Sequence, residues 1–136
     1  MHIYRDMVKY NMVDAIVATG ASIIDMDFFE ALGFKHYQGS QFQDDTELRK
    51  NYIDRIYDTY IDEDELQICD KKICEIADGL DPRNYTSREF IHEMGKYLKK
   101  NSIKKDSLIE TAFDHNVPIF PSLIHISEPT RLRRIS

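Results

Sequence analysis

The stretch NMVDAIVATGASIIDMDFFEALGFK, residues 11–35, decides the fold class. Apolar side chains fill most of residues 12–18, a run of the length that a short buried strand needs. The next four residues, Thr-Gly-Ala-Ser at 19–22, indicate a turn, and the spacing of apolar residues over 23–32 predicts a helix that stops at Gly33. A strand, a tight turn and a helix in this order predict an α/β layered fold with a largely parallel sheet.

The segments outside this stretch continue the alternation of helices and strands. Apolar periodicity and capping signals predict helices at residues 2–11, 44–50, 62–77, 107–115 and from 87 onward, after a capping-box pattern at 86–89. Extended segments are predicted at residues 34–39, 55–61 and 117–120. The segment 62–77 is a clear amphipathic helix, predicted to bury one face formed by Leu66, Cys69, Ile73, Ile76 and Ala77. Because the pattern ends on a strand, and an open parallel sheet needs neighbouring strands and covered faces, the sequence predicts part of a domain.

Composition excludes several classes of protein. The chain has 136 residues, 18 Lys and Arg, 24 Asp and Glu, and a formal net charge of −6, a balance that argues against a nucleic-acid binder. No apolar run approaches the length of a membrane span, and Met1 opens a charged helical stretch, so neither a membrane protein nor a secretory signal is predicted. The two cysteines, Cys69 and Cys74, are predicted to be reduced, core or semi-buried thiols of a cytoplasmic protein, without a zinc site.

Composition changes at Pro121, which divides the chain into a body at 1–120 and a tail at 121–136. The tail is rich in arginine and shows neither a helical nor a strand period. One interpretation is a basic disordered tail. The other is that SLIHISEPTR, residues 122–131, is the translation of a transposase-based sequencing adapter. We favour the second interpretation, under which the tail is non-native.

The predicted turn is the strongest candidate for a ligand site. Backbone N–H groups at a helix start point outward and favour phosphate or carboxylate groups. Only Gly20 is present of the glycine pattern that is typical of dinucleotide binding, so an ordinary strand–helix turn is the competing interpretation. Asp25, in the first turn of the predicted helix and followed by Asp27, is either an acid that stabilises a helix start or a carboxylate that holds a cationic ligand.

Two further polar patterns are weaker. His36 with Tyr37 offers acid–base or stacking chemistry, but a half-buried structural histidine is the favoured interpretation because the sequence defines no partner for it. Asp44 and Asp45 are typical of a solvated loop or a helix cap.

Six stretches of the body stand in an order and spacing that identify a family: NMVDAIVATGAS, DFFEALGFKHYQGS, DDTELR, IDRIYDTYIDEDEL, SREFIHEMGKYL and VPIF. Together they resemble deoxyhypusine synthases, especially the archaeal type. The resemblance covers nearly the whole body and well under half of a full-length member. It implies a Rossmann-like parallel sheet with flanking helices, incomplete in this chain, and a homotetramer with active sites at dimer interfaces. It also implies an enzyme that uses NAD to oxidise spermidine and passes the aminobutyl group, through an enzyme lysine, to a lysine of the precursor of the hypusine-bearing translation factor.

The resemblance assigns few site residues within this chain. The turn that lies against NAD in the family matches Thr19, Gly20 and Ala21, and the acidic position on the polyamine side of the cleft matches Asp25. Many members have two acids there, whereas this sequence has Ile24 before Asp25. The segment with the catalytic lysine has no counterpart, so no catalytic residue is assigned, and Lys96 is not that lysine.

Three functions follow as hypotheses. The first is a fragment of deoxyhypusine synthase that is inactive by itself because it lacks the nucleophile. The second is a deoxyhypusine-synthase-like enzyme that acts on another amine, such as a homospermidine-forming enzyme. The third is a short protein that binds a partner without catalysis, which requires the tail to be natural.

Overall fold

The computed structural model describes residues 1–122 of the chain. In chain order its elements are α1 (His2–Lys9), β1 (Ile16–Thr19), a π-helical segment (Ser22–Phe28) that continues into α2 (Phe29–Ala31), β2 (Tyr37–Gln38), α3 (Asp45–Lys50), β3 (Ile53–Ile56), β4 (Thr59–Asp62), α4 (Glu63–Asp78), α5 (Ser87–Asn101), α6 (Leu108–Asp114) and β5 (Ile119–Ser122). None of these helices is long and apolar enough to cross a membrane. The prediction of a non-native tail falls, from residue 123 onward, outside the described residues.

The strands form two separate sheets. β1 and β5 pair in parallel, with Ile16 opposite Ile119 and Thr19 opposite Ser122, although about a hundred residues separate them in the chain. The other three strands form an antiparallel sheet in the order β2-β4-β3. The predicted α/β class, with a parallel sheet and flanking helices, is therefore confirmed. The extended segment predicted at 34–39 shortens to β2 and joins the antiparallel sheet.

A hairpin replaces the single extended segment predicted at 55–61. β3 and β4 pair closely, with Ile56 opposite Thr59, and only two residues connect them. Tyr57, the first of the two, has a φ of 56°, in the left-handed region that reverses the chain. Tyrosine is not among the residues typical of turns, so the only turn signal in the sequence is the aspartate that follows it, Asp58.

The core lies between the helices. Fully buried side chains come from α1, the π-helical segment, α2, α4, α5 and α6: Val8, Ile23, Phe28, Phe29, Cys69, Met94, Leu98, Leu108 and Ile109. α5 and α6 pack closely at Gly95, where a Cβ atom would stand 2.7 Å from Cβ of Phe113 and 2.9 Å from the carbonyl oxygen of Ile109. Glycine is therefore required at this crossing although it lowers helix propensity.

The face of α4 that contacts the core is narrower than predicted. Cys69 and Ile76 are buried and Leu66 and Ile73 are half-buried, as predicted, but Ala77 is exposed. Cys74 is also exposed, so the prediction of a core or semi-buried thiol holds only for Cys69. Burial raises the pKa of the Cys69 thiol to about 12, a value at which it stays protonated.

Candidate functional site at the carboxyl end of β1

The predicted turn at 19–22 is absent because the helix begins at once. Thr19 is the last residue of β1, and helical structure starts at Gly20. The Thr19 hydroxyl accepts a hydrogen bond from the Ser22 N–H, at 3.3 Å, and donates one to Oγ of Ser22, at 3.0 Å. Thr19 therefore caps the helix that follows its own strand.

The helix at 22–31 starts with wide turns. Over Ser22–Phe28 it is π-helical, and the N–H of Phe29 donates to the carbonyl of Ile24, five residues earlier. α-Helical spacing returns by Leu32, whose N–H donates to the carbonyl of Phe28. The helix ends at Gly33, which has a φ of 96° as the predicted stop requires. π-Helical turns are rare in proteins, and those that occur often lie at functional sites.

The space beside Gly20 is open. A Cβ atom built at Gly20 would meet no described atom within 4 Å, while Ala21 is exposed and Thr19 half-buried. The Ser22 N–H is bound by the Thr19 hydroxyl. The other N–H groups at the helix start have no acceptor within the helix, and such groups favour an anion that reaches this surface. The residues present thus fit a phosphate-bearing group such as the one a dinucleotide carries.

Asp25 is a half-buried carboxylate on the π-helical segment. Burial raises its pKa above the ordinary value of 3.8, the charge of Asp70 on α4 raises it further, and His36 opposes the rise. A cation placed beside Asp25 would reverse this shift, since it favours the ionised carboxylate. The arrangement therefore suits recognition of a positively charged ligand.

Asp27 lies on the 22–31 helix, but its carboxylate caps the start of α6. Only 5% of it is exposed. Its carboxylate accepts hydrogen bonds from the N–H groups of Leu108 and Ile109, at 2.9 and 2.8 Å, in the first turn of α6. Burial raises the pKa of Asp27, and these two bonds oppose the rise. The sequence favoured acids at this helix start but gave no signal for a partner eighty residues away.

His36 packs against the same helix. Its Nε2 lies 3.0 Å from the carbonyl oxygen of Asp25, and its Nδ1 lies 3.3 Å from Oε1 of Glu30. The ring contacts that of Phe29, with centroids 5.1 Å apart. The favoured interpretation, a half-buried structural histidine, agrees with these contacts, and both partners that the sequence left undefined lie on the 22–31 helix.

The junction of β1 with its helix indicates the class of domain to which the chain belongs. A parallel strand that runs directly into a helix, with a glycine at the junction and open space beside it, is typical of a partial Rossmann-like α/β domain. The sequence model of deoxyhypusine synthase matches residues 1–127. The chain therefore belongs to the deoxyhypusine synthase family.

Relatives support the same assignment. Proteins named deoxyhypusine synthase-like protein from Coxiella burnetii and Caulobacter vibrioides are 67% and 68% identical over 121 residues, 88% of this chain. A probable deoxyhypusine synthase 2 from Methanosarcina acetivorans is 39% identical over 118 residues, 87% of this chain. These matches cover 34%, 33% and 34% of the three relatives, so the chain spans about a third of their length.

Proposed function

We propose that this chain is part of an NAD-dependent transferase that moves the aminobutyl group of spermidine to a lysine of the precursor of the hypusine-bearing translation factor. Membership of the family supports the class of reaction. The observation that carries the proposal is the open space beside Gly20 at the carboxyl end of β1, one helical turn before the Asp25 carboxylate. An anionic cofactor and a cationic substrate would then have adjacent surfaces on one helix.

Thr19, Gly20 and Ala21 are the residues that we assign to the cofactor. NAD would supply a hydride acceptor for oxidation of the amine and would return the hydride after transfer. The helix start would bind a phosphate through its N–H groups, and Gly20 would allow close approach because it has no side chain. Thr19 would hold the helix start in place through its hydrogen bonds to Ser22.

Asp25 is the residue that we assign to the amine. Its carboxylate would pair with an ammonium group of spermidine, and partial burial would strengthen the pairing by removing competing water. Only the ionised form binds a cation. Because the pKa of Asp25 is raised, we expect amine binding to strengthen as pH rises through that pKa and to weaken below it.

The remainder of the active site would come from further sequence. Val17 and Phe120 are paired across β1 and β5, and both are exposed on the open face of the parallel sheet. Parallel sheets are usually covered on both faces, which supports further structure at this face. Lys96 is exposed on α5 and pairs with Glu93, so we do not assign it as the nucleophile. We propose that the chain by itself is inactive, and that the complete protein is a cytoplasmic homotetramer.

The test is transfer of label from spermidine that carries an isotope in its aminobutyl group. The coding sequence is first read in the source DNA across the codon of Phe120, with a different library chemistry, and the full-length protein is then purified. It is incubated with NAD, labelled spermidine and either the factor precursor or a free diamine. Label that appears on the precursor, only when NAD is present, is the expected result.

Two other outcomes overturn the proposal. Label on the free diamine alone would indicate the homospermidine-forming alternative. A genomic reading frame that encodes SLIHISEPTRLRRIS and then stops, with no label transferred, would favour the short binding protein. The 136-residue chain, assayed in parallel, is the control and is expected to transfer nothing.

A further inference from the structure

His36 lies in the connection before β2, but its ring faces the helix at 22–31. One imidazole contacts that helix at three residues: the Asp25 carbonyl at 3.0 Å, the Glu30 carboxylate at 3.3 Å and the Phe29 ring at 5.1 Å between centroids. Because a carbonyl oxygen only accepts, Nε2 must carry a proton and donate to Asp25. The histidine therefore binds the backbone of the residue whose carboxylate we assign to the amine.

The π-helical turn explains why this carbonyl needs an outside donor. The N–H of Phe29 reaches back five residues, and that of Leu32 reaches back four. Where the spacing changes from five residues to four, one backbone carbonyl is left without an N–H donor from the helix. A side chain can then donate a hydrogen bond to that carbonyl. His36 Nε2 supplies a donor within this interval, and so stabilises the wide form of the turn.

Other contacts fix the rest of the helix independently of His36. The Asp27 carboxylate is bound by the first turn of α6. The carbonyl of Ala31 accepts from the N–H groups of Ile103 and Lys104, at 2.9 and 3.2 Å. Since both contacts lie beyond Asp25 in the chain, His36 is the contact, among the described residues, that acts on the Asp25 backbone itself.

We propose that His36 is a positioning residue, which holds the π-helical turn so that the Asp25 carboxylate faces the amine substrate. The proposal rests on the role assigned to Asp25 above. Loss of the Nε2 donor lets the turn return to ordinary α-helical spacing, which rotates Asp25 relative to Gly20 and Ala21. Amine affinity then falls, whereas the cofactor surface before the turn is unchanged.

The test uses three variants of His36 in the full-length protein. His36→Phe keeps the ring against Phe29 but removes the donor, His36→Asn keeps a donor that is too short to reach, and His36→Gln places an amide nitrogen near the position of Nε2. His92→Phe is the matched control, because His92 also packs on a phenylalanine, with its centroid 4.6 Å from that of Phe113.

We expect His36→Phe and His36→Asn to raise the KM for spermidine about tenfold, the effect of one lost hydrogen bond, with the KM for NAD and kcat within about twofold. His36→Gln restores most of the spermidine KM, and His92→Phe changes none of the three constants. Hydrogen exchange at the amides of residues 25–30 quickens in the two defective variants only.

The proposal is wrong if spermidine KM stays unchanged in His36→Phe and His36→Asn, or if NAD KM and kcat change by the same factor as spermidine KM. Asp25→Asn, measured alongside, separates the two claims. If Asp25→Asn raises the spermidine KM and the His36 variants do not, only the positioning role fails. If Asp25→Asn has no effect, the assignment of Asp25 to the amine fails first.

Discussion

The helical region formed by α1, the 22–31 helix, α5 and α6 differs from the antiparallel sheet region at 37–62 in how its residues are held. Phe28 and Phe29 in the first region are completely buried, whereas in the second region Phe42 is 86% and Tyr57 76% exposed. The first region buries apolar side chains from segments far apart in the chain. The second buries only Leu48 and Ile61 and adds local polar contacts.

Arg55 shows how the sheet region is held. Its guanidinium donates to the Asp45 carboxylate and to the carbonyls of Gln41 and Tyr57. Tyr60 adds a hydrogen bond from its hydroxyl to the carbonyl of Ser40, at 2.8 Å. All these partners lie within twenty residues of one another. The site at β1 therefore lies on the region that long-range apolar packing holds, and substitutions in the two regions should differ in their effect on stability.

The largest difference in the free energy of unfolding should be seen between substitutions of two phenylalanines, one in each region. Phe29→Ala removes a fully buried ring and should lower the free energy of unfolding by about 3–5 kcal/mol. Phe42→Ala, its matched control, should change the same quantity by less than about 0.5 kcal/mol because the ring is exposed. Urea titrations of the chain measure both. Similar losses in the two variants would contradict the division into a packed and a locally held region.

Asp27→Ala should have the next largest effect. The substitution removes two hydrogen bonds of 2.9 and 2.8 Å and leaves two buried N–H groups of α6 without acceptors, so we expect a loss of about 3 kcal/mol. Asp14→Ala, an exposed acid before β1, is the control and should be near neutral. A near-neutral Asp27→Ala would mean that α6 does not depend on this carboxylate.

Gly95→Ala should destabilise the protein by about 1–3 kcal/mol, because the new methyl group meets Phe113 and the Ile109 carbonyl at the crossing of α5 and α6. Helix propensity alone predicts the opposite sign. Gly79→Ala is the comparison, since its Cβ would meet nothing closer than 3.4 Å. A rise in melting temperature for Gly95→Ala would show that the crossing is looser than described.

Substitution of Glu89 should have the smallest effect on stability, and this effect should depend on pH. Its carboxylate accepts from the backbone N–H and the hydroxyl of Thr86 and pairs with Arg83, contacts that lower its pKa from 4.5 to about 2. The stabilisation is therefore present above pH 4.5 and is lost as pH falls to about 2. Melting temperatures of wild type and Glu89→Gln should differ above pH 4.5 and converge near pH 2; curves that stay parallel would exclude this role.

Periodic and capping signals were sufficient for most of the fold. The capping box of Thr86 and Glu89 is present as predicted, Asp44 caps α3, and Gly33 ends its helix. These features depend on residues within one or two turns of each other, so the sequence displays them directly. The strand–helix order also predicted a parallel sheet, but it did not indicate that β1 pairs with β5.

The π-helical spacing of the site and the partners of its polar side chains could not be predicted from the sequence. A π-helical turn differs from an α-helical one by a single residue of spacing, and the apolar positions of 23–32 fit either form. The partners of Asp27 and His36 are set by tertiary packing, which periodicity does not report. The assignment of Thr19, Gly20, Ala21 and Asp25 came from the family resemblance and stays a prediction.

The role of Asp25 is tested by the KM for spermidine in the transfer assay of the full-length protein, compared between two aspartate variants. Asp25→Asn removes the carboxylate of the proposed amine site, while Asp54→Asn removes an exposed carboxylate from β3 in the sheet region. We predict that Asp25→Asn raises the KM at least about tenfold, as expected for loss of a charged hydrogen bond, and that Asp54→Asn leaves it unchanged. An unchanged KM in Asp25→Asn, or an equal rise in both variants, would contradict the placement of the amine site on the helical region.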